Sequence, residues 1–232
     1  MRAITSIGRS ALVVAMTLWS PVALRAGAPD TVHVVTYFEV SPGAGRAGSA
    51  LIAQYARATR AESGNTSATP LQEIARPNRF VVIESWSDQA AFAAHETAAP
   101  TVGFRERYRA ISRSPYDQRV NHDFANDPAP IASGTNAVYV VTHVDVPATR
   151  REEAEALLKR LRESSRRDAG LNRYDVYQQN DPRLNHFAVL AVWNSRSAFD
   201  DYGGSTPVLA FREALAPMLG ALYDERLFRL TR

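Results

Sequence analysis

The chain has 232 residues, 45% of them hydrophobic, with 27 Lys+Arg against 24 Asp+Glu and no cysteine. That length suits one large domain or two small ones. The composition excludes a disordered chain, a disulfide-stapled mini-domain, a zinc–thiolate site and a cysteine nucleophile. The formal charge of +3 does not point to nucleic acid. Arg2, Arg9 and Arg25 lie in a segment expected to be removed, and without them the chain is formally neutral and has no basic run to drive counterion release.

In chain order, residues 1–30 open with Arg2 and Arg9 and no acid, continue in an apolar stretch from Ala11 to Leu24, and end in Ala26-Gly27-Ala28. This is the three-part layout of a secretory signal peptide, and the apolar stretch is shorter than the roughly 18–20 residues that span a bilayer. Pro29 disfavours cleavage after Ala28, so cleavage is expected near Ala26. The mature chain is expected to be exported, to the periplasm, and free of the membrane.

After residue 30 the chain repeats itself. A shift of 106 lays Val34-Val35-Thr36 on Val140-Val141-Thr142, Arg60 on Arg166 and Gly64 on Gly170. With one residue added after Gly64, Asn65 meets Asn172, Phe80 meets Phe187, Trp86 meets Trp193, Phe92 meets Phe199 and Pro100 meets Pro207. FRE at 104–106 then meets FRE at 211–213, and YDQR at 116–119 meets YDER at 223–226. Two copies are too few for a solenoid, so they read as two small domains of one fold at 31–124 and 137–232. The Pro, Gly, Ser and Asn content of 125–136 marks a linker.

Each copy starts with a β-branched run, 32–40 or 138–146, stopped by Ser-Pro or Pro. A helix follows: 150–167 places Ala154, Leu157, Leu158 and Leu161 on one face, and 46–61 is its alanine-rich counterpart. Gly64 and Gly170 sit just beyond, where a left-handed cap favours glycine. Strands are predicted near 67–74 and 79–86 (173–180 and 186–193). A helix interrupted by proline is predicted over 88–111 (195–219), and a last strand over 116–124 (223–230). The fold class is therefore α+β: two tandem ferredoxin-like βαββαβ domains. Helices cover one face of each antiparallel sheet. The bare faces are expected to pack together as an intramolecular pseudo-dimer, a dimeric α/β barrel within one chain that stays monomeric.

The order F-x3-E-x-W-x5-F-x2-H in the first copy (Phe80, Glu84, Trp86, Phe92, His95), with RAESGN at 60–65 before it and GLNRYDVYQQNDPRLNHF at 170–187 in the second, resembles the antibiotic biosynthesis monooxygenase (ABM) family. The resemblance covers nearly the whole mature chain. It implies a cofactor-free monooxygenase acting on a small aromatic quinol or phenol and dioxygen, with no metal. The substrate is deprotonated, its anion reduces dioxygen, and the radical pair recombines in a dry aromatic cavity. The family also holds haem-degrading members, which use an asparagine on the first strand. VHVVTYFEV has none, so that reading ranks below quinol oxygenation. A second reading is a non-catalytic protein of the same fold that binds an aromatic ligand or serves in stress.

His95 is the candidate base, since an imidazole near neutral pKa suits a phenolic proton. Glu84 falls on the same strand face as Trp86, where it either orients His95 or pairs with an arginine. Trp86 is either cavity wall or core. Phe80, Phe92 and Phe104 complete the expected pocket, with Arg60 and Asn65 as substrate contacts. Arg60 and Arg166 otherwise form ion pairs with Glu62 and Asp168 at the helix ends. The second copy has Ala191 for Glu84 and Tyr202 for His95, so the active cavity is expected in the first half, between sheet and helices, with the second half as scaffold.

Overall fold

The computed structural model describes residues 31–127 and 134–231. The expected signal peptide and residues 128–133 of the expected linker lie outside the described residues.

The first half runs β1 (Val32–Glu39), α1 (Gly45–Thr59), β2 (Asn65–Glu73), β3 (Arg79–Trp86), α2 (Gln89–Thr97), α3 (Ala99–Ile111) and β4 (Asp117–Ala125). The second half repeats it as β5 (Val138–Asp145), α4 (Arg151–Ser165), β6 (Leu171–Gln179), β7 (His186–Trp193), α5 (Arg196–Gly203), α6 (Thr206–Leu215) and β8 (Asp224–Leu230). Each predicted long helix after the hairpin is two helices, because a proline has no N–H for the carbonyl four residues back. Pro100 thereby leaves the Glu96 carbonyl free, and Arg105 Nη1 donates to it at 2.9 Å.

The eight strands close into one barrel in the order β1-β3-β2-β8-β5-β7-β6-β4, with every neighbouring pair antiparallel. The halves join through β4–β6 and β2–β8. The bare sheet faces thus meet as expected, and closure removes the strand edges that a lone half would expose.

Strand alternation gives each sheet two cores. On β1, Val32, Val34 and Phe38 face the helices, while Val35 and Tyr37 face the barrel interior. The interior is filled by Leu71, Val81, Tyr139, Val141, Tyr177, Leu190 and Phe228, among others from both halves. The helix-covered core of the second half is one continuous cluster around Trp193, Phe187 and Leu158. In the first half it divides into a cluster around Phe38, Tyr55, Phe80 and Phe104 and a smaller one around Trp86 and Phe92. Among the described residues, no helix is long and apolar enough to cross a membrane.

The register moves the gap between the repeats. Asn65 lies opposite Trp86 and Leu171 opposite Trp193, each just before a bulge. Asn65 therefore corresponds to Leu171 and not to Asn172. The extra residue sits in the β6–β7 hairpin, 180–185 against 74–78. A hairpin absorbs an insertion locally, whereas a slip inside a strand would turn every following side chain to the wrong face.

The two loop glycines also differ. Gly64 has φ +79°, but Gly170 is not left-handed. There the Gly170 N–H donates to Asp168 Oδ1 at 2.8 Å, a side-chain turn in place of the left-handed cap. What both share is crowding: a Cβ on Gly64 would fall 2.4 Å from Ala91 Cβ, and one on Gly170 would fall 2.6 Å from Ala198 Cβ.

Candidate active site

α1 follows the start of the first half and turns Ile52, Tyr55, Ala56 and Thr59 inward. β3 presents Glu84 and Trp86 on the face beneath it, two residues apart as a pleat requires. Asp88 starts α2 by accepting the Ala91 N–H at 2.8 Å, and its carboxyl is held below its usual range chiefly by that bond. α2 then carries Phe92 and His95 onto Trp86, and α3 brings Thr101 alongside.

These side chains form one buried polar network. The Tyr55 hydroxyl donates to Glu84 Oε1 at 2.7 Å, and Trp86 Nε1–H donates to Glu84 Oε2 at 3.1 Å. His95 Nε2 lies 2.9 Å from the Tyr55 oxygen and 3.7 Å from Glu84 Oε2. On its other side, His95 Nδ1 lies 2.9 Å from Glu62 Oε2 and 3.1 Å from Thr101 Oγ1. Because the Tyr55 proton goes to Glu84, the Tyr55 oxygen is an acceptor for His95 Nε2–H. The His95 and Glu84 side chains are 0% exposed, while Glu62 is 19% exposed. A line of hydrogen bonds thus leads from the surface at Glu62 through His95 and Tyr55 to Glu84.

Burial pushes the Glu84 carboxyl up, against the opposing pull of His95 and the two hydrogen bonds it accepts. Burial, reinforced by the Glu84 carboxylate, raises the Tyr55 hydroxyl far above its usual value, so it remains a donor. The cluster can therefore hold a phenolic O–H between an imidazole and a carboxylate, which is the arrangement for moving a phenolic proton.

The expected site residues fall into three groups. His95, Glu84, Trp86 and Phe92 come together, with ring centroids of Trp86 and His95 4.6 Å apart. Phe104 stacks on Tyr55 at 4.1 Å and Phe80 packs in the same cluster, one layer away. Arg60 and Asn65 are not brought to His95. Arg60 Nε donates to the Ala68 carbonyl at 2.8 Å, and both residues lie at the rim of a cavity of about 970 Å³ that opens at one end of the barrel. The alternative pairing of Arg60 with Glu62 does not form either, since Glu62 is engaged with His95, and Arg166 lies 4.0 Å from Asp127 rather than against Asp168.

Sequence reasoning missed Tyr55, Glu62 and Thr101. For Tyr55 and Thr101 the signal lay in the other copy, whereas Glu62 keeps a carboxylate there, Asp168. By the register, Tyr55 corresponds to Leu161, Glu84 to Ala191, His95 to Tyr202 and Thr101 to Val208, so four polar positions change together. In the second half Tyr202 packs on Trp193 at 4.4 Å and bonds the Ser165 hydroxyl. Trp193 Nε1–H, its carboxylate gone, is buried without a partner among the described residues. A residual cavity of about 20 Å³ beside Ala191, Trp193 and Tyr202 marks the missing atoms.

The family model for antibiotic biosynthesis monooxygenases matches residues 31–107 and again 137–214. The chain belongs to the antibiotic biosynthesis monooxygenase family. Both ABM matches end before the last strand of their half. The Bacillus subtilis (strain 168) protein YcnE, named as a candidate monooxygenase, is 32% identical over 59 residues, 25% of this chain and 62% of that protein's length. The barrel superposes on a candidate monooxygenase of Fusobacterium nucleatum with a TM-score of 0.77, covering 88% of this chain and 94% of that one at 14% identity. An anthrone oxidase-like protein superposes with a TM-score of 0.70, 88% and 92% coverage, and 13% identity. At those identities the structural likeness extends to the fold. It shows that this ABM chain shares the two-unit barrel across nearly its whole described length.

Proposed function

We propose that this chain is an exported, cofactor-independent ABM-type monooxygenase that oxygenates a small aromatic quinol or phenol with dioxygen. The observation that carries this reading is the Tyr55 hydroxyl, held between Glu84 Oε1 and His95 Nε2 at 2.7 and 2.9 Å. It is a phenol seated on an acid–base pair, and a substrate hydroxyl admitted in its place meets the same two groups.

In this scheme His95 is the base. When a substrate hydroxyl takes the Tyr55 position, the ring tautomer changes. With its proton on Nδ1, directed at Glu62, His95 turns an Nε2 lone pair to the substrate in place of the Nε2–H it offers Tyr55, and takes the hydroxyl proton there. Glu84 orients the hydroxyl, and Trp86, Phe92 and Phe104 wall the ring and keep water out. The substrate anion gives one electron to dioxygen, and the two radicals combine to form a carbon–oxygen bond. The peroxide anion takes the proton back from His95, and loss of water then leaves a carbonyl. The O–O bond and the C–H bond on that carbon break, one oxygen atom stays on carbon, the other departs as water, and all four electrons that dioxygen gains come from the substrate.

The test is oxygen uptake by the purified mature chain, with EDTA present, against hydroquinones and anthrones. Enzyme-dependent uptake giving a quinone or hydroxylated product is expected. His95→Ala should reduce it by about 10²–10⁴-fold, the usual worth of a general base, while Tyr55→Phe should retain turnover with a changed KM. Uptake indifferent to His95→Ala would remove the base from the scheme. No uptake, together with quenching of the tryptophans by an aromatic, would make the chain a binding protein. Sequencing the mature N-terminus from the periplasmic fraction tests export, with cleavage expected near Ala26.

A further inference from the structure

The two ends of the barrel are not alike. At the end where β1 and β5 finish, Tyr37, Arg119, His143, Arg226 and Phe228 fill the interior and leave about 190 Å³. At the end where those strands begin, the cavity is about 970 Å³. Eight-stranded barrels are just wide enough to be filled by side chains or to hold one small ligand. The difference here is side-chain size. By the register of β2 against β6, Ser67 corresponds to Arg173, Thr69 to Asp175 and Leu71 to Tyr177. The first half contributes small residues where the second contributes large ones, and the space opens on the side of Ser67, Thr69 and Ser85.

The wall is built as a binding surface. His33 is fixed by Ser85 Oγ at Nδ1, 2.9 Å, and by Asp123 Oδ1 at Nε2, 2.6 Å. Its ring stacks on Tyr177 at 4.4 Å with 25° between planes. Ile83, Leu190 and Leu230 supply apolar floor. The charges around it are mostly matched: Arg173 pairs with Asp175, and Asp123 with His33, while Asp127 lies 4.0 Å from Arg166. Arg60, exposed at the rim, is the exception: its Nε donates to the Ala68 backbone carbonyl, and no carboxylate lies within ion-pair distance among the described residues. A rigid aromatic wall with an apolar floor and an unneutralised guanidinium is complementary to a flat ring bearing a planar anion.

We propose that this end of the barrel is a second ligand site, formed jointly by both halves, that takes a small aromatic carboxylate. The ring lies against Tyr177 and Ile83, and the carboxylate meets Arg60. The site is separate from the His95 cluster: β3 presents Glu84 and Trp86 to the helices and Ser85 to this cavity, so the two lie back to back on one strand. It does not depend on the oxygenase reading.

Calorimetric titration of the mature protein with benzoate, and with benzyl alcohol as the neutral analogue, tests it. Saturable one-to-one binding of benzoate is expected. Arg60→Gln should weaken benzoate by about tenfold or more, the worth of a charge-assisted pair, and leave benzyl alcohol unchanged. Thr69→Trp should abolish both by filling the cavity. Should that variant fail to fold, the His33 ring resonances of the wild-type protein serve instead, and benzoate must shift them. Absence of saturable benzoate binding overturns the proposal, as does binding unaltered by Arg60→Gln. Binding lost in His95→Ala but kept in Thr69→Trp would also overturn it, by placing the ligand in the other site.

Discussion

The two halves share a backbone and differ in what their sheets hide. In the first half the tryptophan on the third strand donates to a carboxylate that also binds a tyrosine hydroxyl, with a histidine completing the network. In the second half the same tryptophan is as deeply buried, yet among the described residues its N–H has no partner, and Tyr202 and Phe199 pack on its ring where the first half has His95 and Phe92. The residues common to both are those the fold requires: the tryptophan, the phenylalanines beside it, the crowded glycine and the helix-breaking proline. The polar residues are not required by the fold, because the second half folds without them. A buried carboxylate and imidazole cost desolvation, and a half that omits them loses nothing architectural. That separation makes the polar set of the first half the candidate for chemistry.

Substituting the shared element tests whether the halves are equivalent as architecture. Trp86→Ala and Trp193→Ala should each cost about 3–5 kcal/mol, the range for emptying a large aromatic site, read by chemical denaturation. A much smaller loss at Trp193 would mean that the second half tolerates its defect by local collapse.

The next effect separates the barrel's filled end from both helix-covered cores. Burial lowers the pKa of His143 from 6.5 to about 4, with Arg119 nearby adding to it. Its Nε2 accepts from the Tyr37 hydroxyl at 2.5 Å. The unfolded chain binds the proton first as pH falls, so the contribution is complete above pH 6.5 and is lost progressively down to about pH 4. At 1.36 kcal/mol per unit the loss is about 3 kcal/mol. His143→Gln should flatten that part of the stability–pH curve, while an unchanged curve would remove His143 as its source.

Exchanging only the indole N–H sharpens the comparison further. Trp86→Phe leaves Glu84 Oε2 without its donor, whereas Trp193→Phe removes a donor that had no acceptor. The first should be the more destabilising by about 1–3 kcal/mol, the cost of an orphaned buried group. Equal losses would mean that the Trp86–Glu84 bond contributes nothing.

The smallest difference lies at the loop glycines. Gly64→Ala and Gly170→Ala both force a methyl against the following helix, but only Gly64 is left-handed. The Gly64 variant should be the less stable by about 1 kcal/mol. Identical melting shifts would show that crowding dominates both positions.

The strands and helices were legible because apolar residues recur at the period of each element, and the repeat supplied every boundary twice. Glu84 beneath Trp86 followed from the two-residue pleat. Tyr55 and Thr101 did not, since each shares its inward helix face with other residues that bury a hydroxyl, Thr59 on α1 and Tyr108 on α3, and nothing local says what lies opposite. Glu62 was assigned to Arg60 by proximity in the chain, when His95, 33 residues away, was the nearer partner in space.

The sequence by itself determined the two-fold repeat, the order of elements, the apolar faces and hence the pairing of the sheets. Those follow from periodicity and from the need to bury a bare sheet. Only the tertiary structure decided where the extra residue lies, which side chains complete the His95 network, and that Arg60 and Asn65 belong to the open end of the barrel. Each of these depends on strand register and on closure between distant segments, so that one residue of slip reverses a face and small side chains in one half leave space only when the other half is set against them.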